Sequence, residues 1–181
     1  MTAIDNTSSV LDSRDIIARI EDLQETFDDM RESINESSFF VRHVAAGSTH
    51  GEFWEVADVD DEEFALACET EAEAVAKAYR LLDAENPDYT EEAEELTILL
   101  ALAEECEGYG DWMHGETLIH RDHFVKYIEE LIDDCYEMPK AMNSGEWPYR
   151  HLTMDYEAAA EEAEQDYVEF DFGGQEYLIR A

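Results

Sequence analysis

The residues best able to do chemistry in this chain are carboxylates, and their spacing points to recognition rather than catalysis. From His120 to Met138 the sequence reads HRDHFVKYIEELIDDCYEM. Phe124, Tyr127, Ile128, Leu131, Ile132 and Cys135 recur at helical spacing and make one apolar stripe. Asp122, Glu129, Glu130, Asp133, Asp134 and Glu137 fall on the outward positions. Glu129 with Asp133, Glu130 with Asp134 and Asp133 with Glu137 are one helical turn apart, where like charges cost about 0.2–0.5 kcal/mol per pair. Only Arg121 and Lys126 sit nearby. A second acidic helix, Thr90 to Glu107, presents Glu91, Glu94, Glu95, Glu104 and Glu105. The glutamates in its last turn oppose the helix dipole. A third, starting at Thr153 or Asp155, presents Glu157, Glu161 and Glu162. Same-face positions on a helix lie about 5–6 Å apart, comparable with phosphate steps along a nucleic-acid strand. Such rows can stand in for DNA phosphates inside a basic cleft.

Other chemistries have weaker signals. His114, His120 and His123 lie near Asp122, and imidazole with carboxylate can bind a metal. The spacing matches no ligand signature such as H-E-x-x-H. No phosphate-cradling glycine loop and no nucleophile elbow is present. The expectation is therefore no metal site, no cofactor and no catalytic residue. Cys68, Cys106 and Cys135 are odd in number and lie in apolar patterns, as expected of reduced, buried thiols in a cytoplasm. Trp112 and Trp147 read as core plugs before binding aromatics.

Charge bounds the partners. Against 48 acids stand 11 Lys and Arg, a formal net charge of -37. That field repels nucleic acid and anionic membranes, and favours a basic protein surface. No apolar run resembles a signal peptide or a membrane span, so a cytoplasmic protein is expected. Hydrophobic content of 45% argues for a packed core despite the charge.

The elements that must position the acids follow from pattern. Residues 1–11 read as a flexible tail. Residues 12–36 read as a helix capped by Asp12 or Ser13, with Ile16, Ile20, Leu23, Phe27, Met30 and Ile34 in a short heptad seam. That seam fits packing on its own domain or a homodimer interface. Residues 37–86 read as a ββ(β)α unit, with strands at Phe39–Val44, Phe53–Val56 and Phe64–Ala67, and a loop at Gly47–Gly51. Thr70 and Glu73 form a capping box for its helix. Residues 87–181 read as an acidic helical domain closed by a hairpin around Gly173-Gly174. The fold class is α+β and helix-rich.

The C-terminal stretch Leu152 to Arg180, LTMDYEAAAEEAEQDYVEFDFGGQEYLIR, resembles the ArdA-type antirestriction proteins, DNA mimics carried by mobile elements. The likeness rests on the acidic helix opened by Asp155-Tyr156-Glu157-Ala158 and on the glycine-turn β-ending from Tyr167 to Arg180. Leu11 to Ile20 and Gly115 to Tyr127 look like sequences in small acidic phage proteins. The resemblance implies a dimeric inhibitor that fills the DNA groove of a type I restriction–modification enzyme and has no catalytic residues. A CRISPR effector or another nuclease offers a similar basic channel. The partner expected is a basic nucleic-acid-binding complex in the host cytoplasm. The alternative is a salt-adapted acidic interaction protein without mimicry, and a small hydrolase or metal enzyme comes third.

Overall fold

The computed structural model describes residues 3–45, 52–61, 63–142 and 144–181. The chain is α+β, with strands β1 (Val10–Asp12), β2 (Phe39–Val44), β3 (Phe53–Asp58), β4 (Ala65–Cys68), β5 (Thr117–His120), β6 (Tyr167–Phe172) and β7 (Gln175–Arg180). Its α-helices are α1 (Ser13–Asn35), α2 (Glu71–Leu82), α3 (Thr90–Cys106), α4 (Trp112–Gly115), α5 (Phe124–Cys135) and α6 (Tyr156–Ala163). Two compact units form: Met1–Ile4 with Ile16–Glu104, and Asp5–Asp15 with Glu105–Ala181. The first unit takes in α3 as far as Glu104, so the two part at Glu104–Glu105 and not at the expected residue 87. The loop expected at Gly47–Gly51 lies outside the described residues.

The first unit holds an antiparallel sheet of order β2-β3-β4, with α2 packed on it. The Thr70 hydroxyl accepts the Glu73 N–H at 3.2 Å, as the capping box requires. The Glu73 carboxylate takes the Glu69 N–H at 2.8 Å rather than that of Thr70. At the start of α3, Asp88 accepts both the N–H and the hydroxyl of Thr90, which is the first residue of the helix and not the cap expected.

The α1 seam is core. Ile16, Ile20, Leu23, Phe27, Met30 and Ile34 are all buried within the single chain, none more than 8% exposed. This corrects the dimer-seam assignment: side chains already removed from water have no surface left to give a second copy.

One acid leaves the candidate surface for a physical reason. Arg19 is buried on α1, and its guanidinium grips Glu95 of α3 through two bonds, Nε–Oε1 at 3.0 Å and Nη2–Oε2 at 2.6 Å. Glu95 Oε1 also accepts the Ile4 N–H at 3.1 Å. Burial raises the Glu95 pKa, but the Arg19 bond, the Ile4 N–H and the Arg19 charge outweigh it and leave the carboxyl below its ordinary value. Glu95, with a side chain 17% exposed, is thus an internal ion-pair partner and not a DNA-mimic acid.

The second unit is built on an antiparallel sheet of order β1-β5-β7-β6. β7 is central, and Tyr177, Leu178 and Ile179 are fully buried in it. The β6–β7 turn is Gly173-Gly174 with φ of 58° and 82°. Positive φ at both central residues is the tight two-residue hairpin turn, which glycine adopts without steric cost. The expected tail is corrected here. Val10 to Asp12 pair with Thr117 to Ile119, a stretch expected only to lead into the acidic helix. The Tyr177 hydroxyl donates to Ser8 O at 2.6 Å and Asn6 O at 3.1 Å, and Asn6 Nδ2 donates to Gly173 O at 2.9 Å. Short polar residues satisfy a buried phenol there, which composition alone reads as a loose end. Burial, with the Asp5 charge, pushes the Tyr177 hydroxyl up to about 12.

Two outcomes test this packing. Leu23→Asp buries an unpaired carboxylate and should unfold the chain, at a cost above about 4 kcal/mol. Urea denaturation measures it, and a fully stable variant with altered sedimentation would restore the seam to an interface. Glu95→Ala should cost about 2 kcal/mol near neutral pH, because it takes two charge-assisted bonds from a buried guanidinium that Asp22 continues to hold. Because the folded Glu95 pKa is depressed, its stabilisation is full above the unfolded carboxylate value of about 4.3 and is lost as pH falls through the folded value. The gap between wild type and Glu95→Ala should therefore narrow from pH 6 to pH 3, and a constant gap would count against the ion pair.

Candidate partner-binding surface

α5 and α6 pack antiparallel against one face of the second sheet. Their shared core is Ile119, Phe124, Ile128, Ala160 and Leu178, with Tyr127, Ile132, Ala159, Ala163 and Tyr167 around it. Alanines at 159, 160 and 163 let the two helices approach, while Phe124 meets Tyr167 edge to face at 4.9 Å between ring centres. Both ends of the pair are tied. Tyr156, at the start of α6, donates its hydroxyl to Asp133 near the end of α5 at 3.0 Å. Arg121, just before α5, bonds Glu164, just after α6, at 2.8 Å. Asp155 Oδ1 accepts the Ala158 N–H at 3.0 Å and caps α6.

Arg121 is the positive hub of this unit. Besides Glu164 it bonds Glu169 on β6 and lies 3.7 Å from Glu176 on β7. Partial burial works against its charge, but Glu164, Glu169 and Glu176 outweigh that and raise its pKa above the ordinary arginine value. The sequence marked Arg121 only as a nearby base. Its partners come from 43, 48 and 55 residues away, a relation no local pattern carries.

The expected acids sort as follows. Glu130, Asp133, Asp134 and Glu137 are exposed along or just beyond α5, and Glu129 is half-buried. Glu157, Glu161 and Glu162 are exposed on α6. The packing of α5 on α6 therefore brings these eight carboxylates onto one helix pair. Glu157, Glu161 and Val125 line one crevice of about 330 Å³, and Glu129 lies one turn along α5 from Val125. Glu157 and Glu161 are themselves one turn apart, so each helix carries a like-charge row. The charges are close enough to be felt: the Tyr156 hydroxyl is raised by its bond to Asp133, then by burial and by the charges of Asp133 and Glu129. Among the cations, Lys126 reaches Glu130 at 3.3 Å, an exposed pair that does little against this field. Asp122 and Glu105 are exposed elsewhere in the same unit. Glu91, Glu94 and Glu104 are exposed on α3 in the first unit.

Three readings of the sequence change. Leu131 and Cys135 leave the α5 stripe and are exposed, because the inward arc centres on Phe124 and Ile128. Trp112 is buried as expected, but Trp147 is 74% exposed. The acids are also not confined to three helices: Glu21, Glu25, Asp28, Asp29 and Glu32 are exposed on α1. The signal for those lies in the sequence, where acids fill many of the polar positions flanking the α1 seam. No group of three or more metal-ligating side chains is assembled among the described residues, so His114, His120 and His123 form no cluster of that kind. His120 Nδ1 instead accepts the Asp122 N–H, and its Nε2 lies 3.2 Å from Gln175. No helix among the described residues is long and apolar enough to cross a membrane.

Comparison with protein-family models, curated proteins and solved structures returned no match.

Cys135 is the exposed last residue of the acidic helix α5. Burial raises the thiol pKa of Cys68, and that of Cys106 to about 12 with the Glu105 charge adding to it. Native protein should expose one fast thiol to a neutral maleimide, and Cys135→Ser should remove it. An anionic disulfide reagent should react more slowly at Cys135 than the maleimide and gain speed with salt, since the acids repel it and salt screens them. Equal salt response for both reagents would show that no concentrated negative field surrounds α5.

Proposed function

We propose that the protein is a DNA-mimic inhibitor that occupies the DNA-binding groove of a host defence complex. The observation that carries this reading is the α5–α6 pair, where two packed helices hold eight carboxylates while the base beside them, Arg121, is taken up by Glu164 and Glu169 and Lys126 meets Glu130 alone at 3.3 Å. Such a surface enters a basic groove by the attraction that DNA phosphates use, yet offers no backbone to cleave. The type I restriction–modification enzymes are the preferred target because of the resemblance of Leu152–Arg180 to ArdA-type proteins. A CRISPR effector or another nuclease has a groove of the same sign. The reading requires no catalytic residue and no cofactor in this chain, and it makes a host-cytoplasmic partner the natural one. A homodimer, if one forms, uses a surface other than the α1 seam.

A second reading keeps one specific support. The exposed acids of α1 repeat the composition of the helix pair, as a salt-adapted surface would. Such a surface holds water and solubility through dispersed carboxylates and has no preferred partner face.

The two readings separate in one variant. Glu129→Gln, Glu130→Gln, Asp134→Asn, Glu157→Gln, Glu161→Gln and Glu162→Gln together remove the rows and spare Asp133, which holds Tyr156. Relief of the like-charge pairs should stabilise the fold by about 1 kcal/mol at low salt, and less as salt screens them. Binding to a purified type I restriction–modification complex should weaken by about tenfold or more through lost charge complementarity. Wild-type protein should displace duplex DNA from that complex. Unchanged affinity in the variant, or stable co-binding of protein and duplex, would return the surface to the salt-adapted reading.

A further inference from the structure

In the first unit, β4 is an edge strand, and among the described residues its strand pairing is with β3. Among the described residues no backbone hydrogen bond from outside the sheet reaches Ala65–Cys68. Ala65, Leu66 and Ala67 are exposed. Sheet edges are ordinarily guarded by charge, proline or cover, because an open row of N–H and C=O groups recruits another strand. The other edge, β2, is guarded: Arg42 bonds Glu55 across the strands and stands over the Phe40 ring. β4 reads ALAC and has neither charge nor proline.

Beside this edge lies a cleft of about 980 Å³. Phe53, Ala65, Ala67 and Ile98 give it apolar lining, and Glu52, Glu69 and Glu94 are exposed around it. The pairing of Glu55 with Ala67 places Phe53, Glu55, Ala65 and Ala67 on the same sheet face. Methyl side chains at 65 and 67 leave room for the alternate side chains of an incoming strand. We propose that the β4 edge and this cleft take up an extended basic segment of a partner protein as a fourth strand. Backbone pairing with β4 would supply affinity, and the cleft with its glutamates would select basic and apolar residues in alternation. This site is independent of the α5–α6 acids.

The probe is a synthetic peptide alternating lysine and valine, titrated into the isotope-labelled full-length protein and followed by amide NMR. Shifts should centre on Ala65–Cys68 and on Thr97 and Ile98, and hydrogen exchange of the β4 amides should slow. The same peptide, methylated at consecutive amides across its centre so that neither edge can pair, should bind about tenfold more weakly, as loss of two or more net hydrogen bonds implies. Glu69→Gln with Glu94→Gln should also weaken the unmethylated peptide while leaving the spectrum otherwise folded. Equal affinity of the methylated peptide, shifts centred on α5 and α6, or no response at β4 would each overturn the proposal.

Discussion

The structure depends on how a few arginines are spent against a large surplus of carboxylates. With 48 acids and 11 Lys and Arg, most acids cannot have a cation, and the compact state repels itself. In each unit one arginine stands where several chain segments meet. Arg19 holds Glu95 and Asp22 and is buried as it does so. Arg121 holds Glu164, Glu169 and Glu176, which come from the end of α6 and from both strands of the hairpin. A guanidinium suits both places because its fixed fork of donors satisfies more than one carboxylate while staying charged. Arg31, Arg42 and Lys77 hold Glu71, Glu55 and Glu73 singly, and many of the other acids are exposed to water.

That division separates structural acids from free ones, which sequence counting cannot do. Glu95 and Asp133 have neighbours of the same type one position away, Glu94 and Asp134. Glu95 is drawn inward by Arg19, whereas Glu94 is exposed; Asp133 and Asp134 are both exposed, but Asp133 accepts the Tyr156 hydroxyl and so ties α5 to α6. The helix pair tolerates its like-charge rows because its inner face is satisfied independently by Phe124, Ile128, Ala160 and Leu178. Burial of those side chains at roughly 1.5–3 kcal/mol for each large one exceeds a repulsion of a few tenths per pair. The acids are thus free to vary without threatening the fold.

Much of the architecture was legible because it follows from local chemistry. The apolar periodicity of 13–35 marks α1, the Thr70–Glu73 box opens α2, and two glycines with positive φ make the β6–β7 turn. The acid rows were legible as rows for the same reason, since i,i+4 spacing is a property of one helix. What was missed has a common character. The segment before Val10 lacks an apolar pattern, yet its carbonyls meet the buried hydroxyl of Tyr177 from 169 and 171 residues away. Thr117–His120 is too short for a confident alternation and becomes a strand through pairing with β1 and β7.

By itself the sequence determined the fold class, the places of the long helices and the sign of the chain's own field, because periodicity, capping and net charge are summed over neighbours in the chain. Only the tertiary structure decided that the α1 seam faces its own core. An apolar stripe records that a face is buried but not what buries it. The tertiary structure alone also placed the acids of α5 beside those of α6 and took Glu95 out of the set. Those outcomes depend on which distant residue arrives first within hydrogen-bonding reach, and a one-dimensional pattern holds no such distances.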